Sequence, residues 1–403
     1  MRILVVNNQR GLVGGLETYL HSLIPALHGC GHQVALLYMT EAAGDDPGID
    51  SGGGCGVAWR AEERAAKIPD EVANWNPDVV YLNEPPPLQL HALLVDRFPV
   101  VMFAHGHTGA CATGRKMHAF PQPIPCSRRC GPACLVLHYP RRCGGLNPLT
   151  MVRSYRTQMA NQALLGKYRA IAVASEYMRT EYLRHGVDAN RLHVVSLPPS
   201  GMEADPNPPA RQGARNRLLF LGRLTDLKGV DYLLRAVGPA ERALGRRLSL
   251  TVAGRGAEEV RLRALAQQLR LNVEFTGWLD PTERMRRIRE NDLLAAPSIW
   301  PEPFGLVGIE AGCAGLPAAA FDVGGITEWL RPGESGEIAP GNPPAARGLA
   351  DAIVRALASP DHYQDLSRGA WEVARRFTLA NHLDKLLPIL ERAAQERGSL
   401  TPC

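Results

Sequence analysis

Two glutamates eight positions apart, Glu302 and Glu310, stand in the run Pro301-Glu302-Pro303-Phe304-Gly305-Leu306-Val307-Gly308-Ile309-Glu310-Ala311. Pro303 and Gly305 suit a turn that ends a strand and opens a helix. Eight residues is slightly over two helical turns, so both carboxylates can face one cleft. A carboxylate only accepts hydrogen bonds and can take two hydroxyl donors from a ribose or a hexose. A plainer reading makes Glu302 an electrostatic cap and leaves Glu310 in solvent. The apolar neighbours of Glu310 favour a buried carboxylate instead.

Three further patches carry chemistry. In Gly222-Arg223-Leu224-Thr225-Asp226-Leu227-Lys228-Gly229, Arg223 and Lys228 can converge on one anion, one as a planar fork and one as a point charge. The spacing is not that of a P-loop, and a solvated basic turn is the alternative. Gly14 and Gly15, in Gly11-Leu12-Val13-Gly14-Gly15, let a ligand approach the backbone where a helix offers free N–H groups. They lack dinucleotide-fingerprint spacing, and a tight turn would also account for them. In Phe103-Ala104-His105-Gly106-His107, His105 falls just past a strand, where a side chain meets ligand, and His107 is the weaker candidate.

Alternating elements must position these groups. Apolar runs at Ile3–Val6, Val34–Tyr38, Val79–Leu82, Val100–Phe103 and Ala170–Ala174 read as strands. Helical patterns separate some of them, at about Leu16–Leu27, Met151–Leu165 and Glu176–His185, with a Gly- and Asp-rich loop at 45–56. Such alternation implies parallel βαβ units. Pro198, Pro199, Pro206, Pro208 and Pro209 mark a linker over 197–216. The alternation then restarts with strands at Arg217–Leu221, Leu248–Ala253, Val273–Thr276, Leu293–Pro297 and Pro317–Phe321. Helices follow Gly229 and Gly305, and three more close the chain at about 343–358, 361–376 and 379–396. The expected fold is α/β, with two facing doubly wound domains, 1–196 and 217–376. A C-terminal segment, 377–403, is free to cross back to the first.

The 403 residues are 45% hydrophobic and 21% charged, which excludes wholesale disorder. No run of eighteen apolar residues suggests a membrane-spanning helix. The N-terminal apolar run is too short for a signal peptide, so a cytoplasmic protein is expected. Net charge is only +5, but no Asp or Glu occurs from Arg97 to Arg169. The field of that block suits an anionic substrate or a peripheral membrane contact, or is a solvated face. Within it Cys111, Cys126, Cys130, Cys134 and Cys143 crowd among five prolines, in an insertion at about 106–150. So loop-rich a segment needs a staple. Four of the five thiols could hold a structural zinc ion; disulfides or free packed thiols are the other readings.

These patches, in this order, resemble retaining glycosyltransferases of family 4, with the two-domain GT-B fold. The resemblance covers nearly the whole chain and rests on "EPFGLVGIEAGCAGLPAAA", "LFLGRLTDLKGVDYLL" and the GG loop. The chain also looks like a bacterial subset whose cysteine-rich insertion ends in "PRRCGGLNPLT". It departs from the family at the linker, Pro199-Ser200-Gly201, and at Gly254-Arg255-Gly256-Ala257. The resemblance implies a nucleoside-diphosphate sugar donor, UDP- or GDP-linked. Glu310 would bind ribose hydroxyls, and Glu302, Phe304 and Gly305 the transferred sugar. Arg223 and Lys228 would neutralise the diphosphate, Gly14 and Gly15 would contact phosphate or acceptor, and His105 would bond the sugar near its anomeric centre.

No D-x-D dyad stands in a metal-binding context, so charge on the leaving diphosphate would fall to the cations and helix N-termini, with no catalytic metal. The expected acceptor is small, polar or anionic, with a hydroxyl or thiol nucleophile, in natural-product or cell-surface assembly. The rivals are an epimerase or another enzyme on the same scaffold, and a nucleic-acid-binding module. The last lacks RNP-like and zinc-finger patterns, so no nucleic-acid partner is expected. Nothing in the sequence points to an oligomeric state.

Overall fold

The computed structural model describes residues 1–42, 48–62, 67–211 and 215–396. Parts of three expected segments lie outside the described residues: 45–47 of the Gly/Asp loop, 212–214 of the linker and 397–403 at the C-terminus.

Strands of the first half are apolar end to end because both of their faces are covered. In β1 (Arg2–Val6), Ile3 and Val5 join one buried cluster, while Leu4 and Val6 join another. Then come α1 (Gly15–Gly29), β2 (Gln33–Tyr38), β3 (Cys55–Arg60), α2 (Asp70–Trp75), β4 (Val79–Leu82), α3 (Leu88–Arg97) and β5 (Val100–Ala104). A small hairpin, β6 (Met117–His118) and β7 (Ile124–Pro125), precedes α4 (Ala133–Leu137) and α5 (Pro148–Leu164). The half closes with β8 (Ala170–Val173), α6 (Glu176–Arg184) and β9 (Leu192–Val194). The parallel sheet runs β3-β2-β1-β4-β5-β8-β9.

The second half holds β10 (Arg217–Leu221), α7 (Val230–Leu244), β11 (Ser249–Ala253), α8 (Glu259–Gln268), β12 (Asn272–Gly277), α9 (Pro281–Glu290) and β13 (Leu293–Ala296). Next come α10 (Leu306–Cys313), β14 (Ala318–Phe321), β15 (Gly336–Ala339), α11 (Ala346–Ala358), α12 (Pro360–Ala374) and α13 (Leu379–Gln395). Its parallel sheet runs β12-β11-β10-β13-β14-β15. Strand order reverses between β1 and β4 in one sheet and between β10 and β13 in the other. Crevices form at the carboxyl ends of such strands.

α13 packs against β4, β5 and β8 of the first sheet. On it, His382 Nε2 lies 2.8 Å from Tyr19 Oη, and Nδ1 lies 2.8 Å from the Ser196 carbonyl. Tyr19 Oη is also 2.8 Å from Tyr81 Oη. A buried polar chain thus ties the last helix to α1, β4 and the segment that joins the halves.

The thiols expected to hold zinc are not gathered into a metal-holding group. Among the described residues no three His, Cys, Asp or Glu side chains gather as a metal-holding group, and the described cysteines, all five of the insertion included, are free thiols. A buried ion pair anchors the insertion instead. The side chain of Lys116 is 1% exposed; its Nζ lies 2.8 Å from Glu181 Oε1 on α6 and donates to the Arg128 and Ala110 carbonyls. The Cys130 amide donates to His185 Nε2 at 2.9 Å. Removing one partner strands a buried charge. Lys116→Ala should therefore cost about 3–5 kcal/mol in urea unfolding, while a zinc chelator should leave the wild-type midpoint unchanged. A midpoint that collapses with chelator and ignores Lys116→Ala would restore the metal.

Candidate active site

A cavity of about 510 Å³ opens at the carboxyl ends of both sheets. Gln9, Gly14, Gly15 and Glu17 reach it after β1, Glu84 after β4, and His105 after β5. From the other side come Gly222, Arg223 and Lys228 after β10, and Ser298, Trp300 and 302–307 after β13. Of the residues singled out in the sequence, Gly14, Gly15, His105, Arg223, Lys228, Glu302, Phe304 and Gly305 all line it.

Two loops of the second half are locked together. A Cβ on Gly229, whose φ is +64°, would lie 2.0 Å from the Pro297 carbonyl oxygen, so only glycine fits. Ile299 and Trp300 donate backbone N–H groups to the Leu227 carbonyl at 3.0 and 3.2 Å. The loops thereby present Lys228 to Glu302, with Nζ 2.5 Å from Oε1 and 5.7 Å from the Trp300 ring centroid. Arg223 enters the cavity with no ion pair among the described residues.

The 301–305 turn is held from both halves. The Pro301 carbonyl lies 3.2 Å from His107 Nε2, and the Pro303 carbonyl accepts from Ser175 Oγ at 2.6 Å. Gly325 N donates to the Glu302 carbonyl at 2.7 Å, and Trp329 Nε1 to the Phe304 carbonyl at 2.8 Å. Gly305, with φ of +87°, then starts α10 without a side-chain cap. α1 also starts uncapped, at Gly14. Both helix N-termini face the cavity; free N–H groups and the helix dipole favour an anion at α10, while at α1 the Glu17 carboxylate takes its own backbone N–H.

His105 Nε2 lies 2.9 Å from Asn83 Oδ1, and the Asn83 amide nitrogen donates to the Tyr81 carbonyl. That arrangement assigns the proton to Nε2 and leaves Nδ1 an acceptor. Burial, with a smaller push from His382, lowers the His105 pKa to about 3, so the ring is neutral at pH 7.

Glu310 and His107 lie off the cavity wall. Glu310 is 2% exposed, with Oε2 3.7 Å from Arg284 Nη1. His107 is packed edge-on against Trp300 and Tyr177 and positions the Pro301 turn.

Sequence reasoning passes over two carboxylates. Glu17, in the first turn of α1, is 5% exposed, and Glu84 follows the end of β4. Burial lifts both above the ordinary carboxylate range; for Glu17 the charge of Glu84 adds to the rise, while its own backbone N–H, Asn7 and Arg223 oppose it. The signal that marks His105, a polar side chain just past a buried parallel strand, also marks Glu84. No Lys or Arg of the 97–169 block lines the cavity, so its first-half wall carries Glu17 and Glu84 and no cation.

Two parallel α/β sheets whose switch points share one cavity are the GT-B glycosyltransferase architecture. Solved structures with that fold cover the chain from end to end. Sucrose-phosphate synthase from Thermosynechococcus elongatus superposes with a TM-score of 0.71 at 21% identity, over 99% of this chain and 100% of that one. Anabaena HepE in complex with UDP and glucose superposes with a TM-score of 0.68 at 19% identity, over the same shares. The family described as "Glycosyltransferase Family 4" matches residues 13–198, and "Glycosyl transferases group 1" matches 202–373. The two matches together span most of the chain and make it a glycosyltransferase of the GT-B fold. It is 35% identical over 235 residues to the D-inositol 3-phosphate glycosyltransferase of Acidothermus cellulolyticus, a match covering 53% of this chain and half the length of that relative. It is 27% identical over 460 residues to the glycogen synthase of Mycobacterium tuberculosis, covering 98% of this chain and 100% of the relative.

Burial also holds His107 and His382 down to about 4, opposed by their bonds to the Pro301 and Ser196 carbonyls. Unfolding returns all three rings to the ordinary value near 6.5. Their contribution is therefore complete above pH 6.5 and is lost as pH falls towards 4. The urea midpoint should drop steadily from pH 6.5 to 5, at up to about 1.4 kcal/mol per histidine per pH unit. A flat profile would show that these rings are not buried neutral.

Proposed function

We propose that the chain transfers a sugar from a nucleoside-diphosphate sugar to a small polar acceptor with retention of anomeric configuration. The observation that carries this reading is the convergence of Arg223, Lys228 and the uncapped N-terminus of α10 on one cavity. Departure of the nucleoside diphosphate builds charge on its β-phosphate, and preoriented donors stabilise that charge with little reorganisation. Lys228, 2.5 Å from Glu302, exchanges that partner for phosphate when donor binds. Glu302 then accepts hydroxyls of the transferred sugar. Glu310 lies on the helix whose start faces the cavity. It sits behind the cavity wall, 3.7 Å from Arg284, and meets the ribose hydroxyls once donor binding shifts that wall. Neutral His105 offers Nδ1 to a sugar hydroxyl near the anomeric carbon.

In the reaction, the bond from anomeric carbon to phosphate oxygen breaks and the bond to acceptor oxygen forms on the same face. The acceptor proton passes to the departing β-phosphate, so neither glutamate serves as nucleophile. The acceptor enters from the side of Glu17 and Glu84. A wall with two carboxyl groups and no cation suits hydroxyl or amino donors better than a phosphate-bearing acceptor. The reading thus parts from the D-inositol 3-phosphate named for the relative.

Lys228→Ala and Glu310→Gln should each lower kcat/KM at least about 100-fold, roughly 2.7 kcal/mol of transition-state stabilisation. Nucleoside diphosphate should appear only when acceptor is present, which separates transfer from epimerisation. Proton NMR of the product should show the donor's anomeric configuration. Near-wild-type rates in both variants would remove the site assignment.

A further inference from the structure

We propose that the outer face of α4, α5 and the loop between them docks peripherally on an anionic lipid surface. Six of the nine cations of the basic block, none of them on the cavity wall, belong to this segment: Arg128 and Arg129 just before α4, Arg141 and Arg142 in the loop, and Arg153 and Arg156 on α5. Arg128, Arg129, Arg141, Arg142, Arg153 and Arg156 are all exposed, and none makes an ion pair among the described residues. No acidic side chain is available within 98–168 to neutralise them.

The apolar side chains here are as unusual as the charges. Half of the large hydrophobic residues exposed in the described structure fall between 120 and 152: Phe120, Leu135, Val136, Tyr139, Leu146, Leu149 and Val152. Val136, Leu146 and Leu149 are 74%, 80% and 79% exposed. On α5, Leu149, Val152, Arg153 and Arg156 are spaced i, i+3, i+4, i+7, so they form one stripe. The loop before α5 is held by its own contacts. The Ala119 amide donates to the Arg141 carbonyl at 2.9 Å, the Arg142 guanidinium sits 5.1 Å from the Phe120 ring centroid, and His138 Nε2 is 2.8 Å from the Gly145 carbonyl. Apolar tips surrounded by unpaired arginines fit a bilayer interface, where the tips enter the headgroup boundary and the cations meet lipid phosphates. A symmetric contact with a second copy would press arginines against arginines. No described helix is long and apolar enough to cross a membrane, so the contact is a docking and not a span.

The test is sedimentation of the full chain with phosphatidylcholine vesicles, with and without phosphatidylglycerol. Binding should require the anionic lipid and weaken with salt. Leu146→Ser with Leu149→Ser, and separately Arg153→Gln with Arg156→Gln, should each weaken it about tenfold or more. None of these four residues lines the cavity, so melting temperature and turnover of a soluble acceptor should stay at wild-type values. Three results would overturn the proposal: no sedimentation with anionic vesicles, binding that neither double variant reduces, or binding to nucleic acid but not to vesicles.

Discussion

The turn from Pro301 to Gly305 is the constraint on which the site depends. Its carbonyls are taken in sequence by His107, Gly325, Ser175 and Trp329, so both halves of the molecule grip one short stretch of backbone. Glu302 therefore has a fixed position, and Lys228 is set against it by loops that admit only glycine at position 229. α10 must begin where this turn ends, with its unsatisfied N–H groups aimed into the cavity. A shift of this turn would displace the carboxylate, its cation and the helix start together.

Charge divides the cavity. Arg223, Lys228 and the α10 N-terminus bring positive potential from the second half, while Glu17 and Glu84 bring carboxylates from the first. A diphosphate would then meet the cationic wall and a hydroxyl-bearing acceptor the wall of carboxyl groups. The crossing of α13, with His382 bonded to Tyr19 and Ser196, keeps the first half close enough for the two walls to share one cavity. All of these groups stand at strand carboxyl ends, where the strand order reverses and helices leave in opposite directions.

Much of this is legible in the sequence, for a physical reason. Strands covered on both faces must be continuous apolar runs, so the central strands announce themselves. β3, β9 and β15, which the sequence reading does not single out, are all edge strands, short or half-exposed. α9 is equally hidden, because only Ile288 is buried in PTERMRRIRE and no apolar stripe repeats. Arg223, Lys228 and Glu302 stand out in the sequence because their charges sit beside glycine and proline just past strand ends. Glu17 and Glu84 escape because a single carboxylate after a strand looks like any solvated acid until the fold removes its water. The cysteines suggested a metal because their density is visible in the chain, whereas the Lys116–Glu181 pair joins residues 65 positions apart and leaves no local trace.

A crystal structure of the complex with UDP or GDP is the most direct measurement. The diphosphate should lie between Arg223, Lys228 and the start of α10, with the ribose hydroxyls on Glu310. A nucleotide seated away from the 223–228 turn, for instance in the groove of about 670 Å³ lined by Arg169, His193 and Arg392, would contradict the assignment.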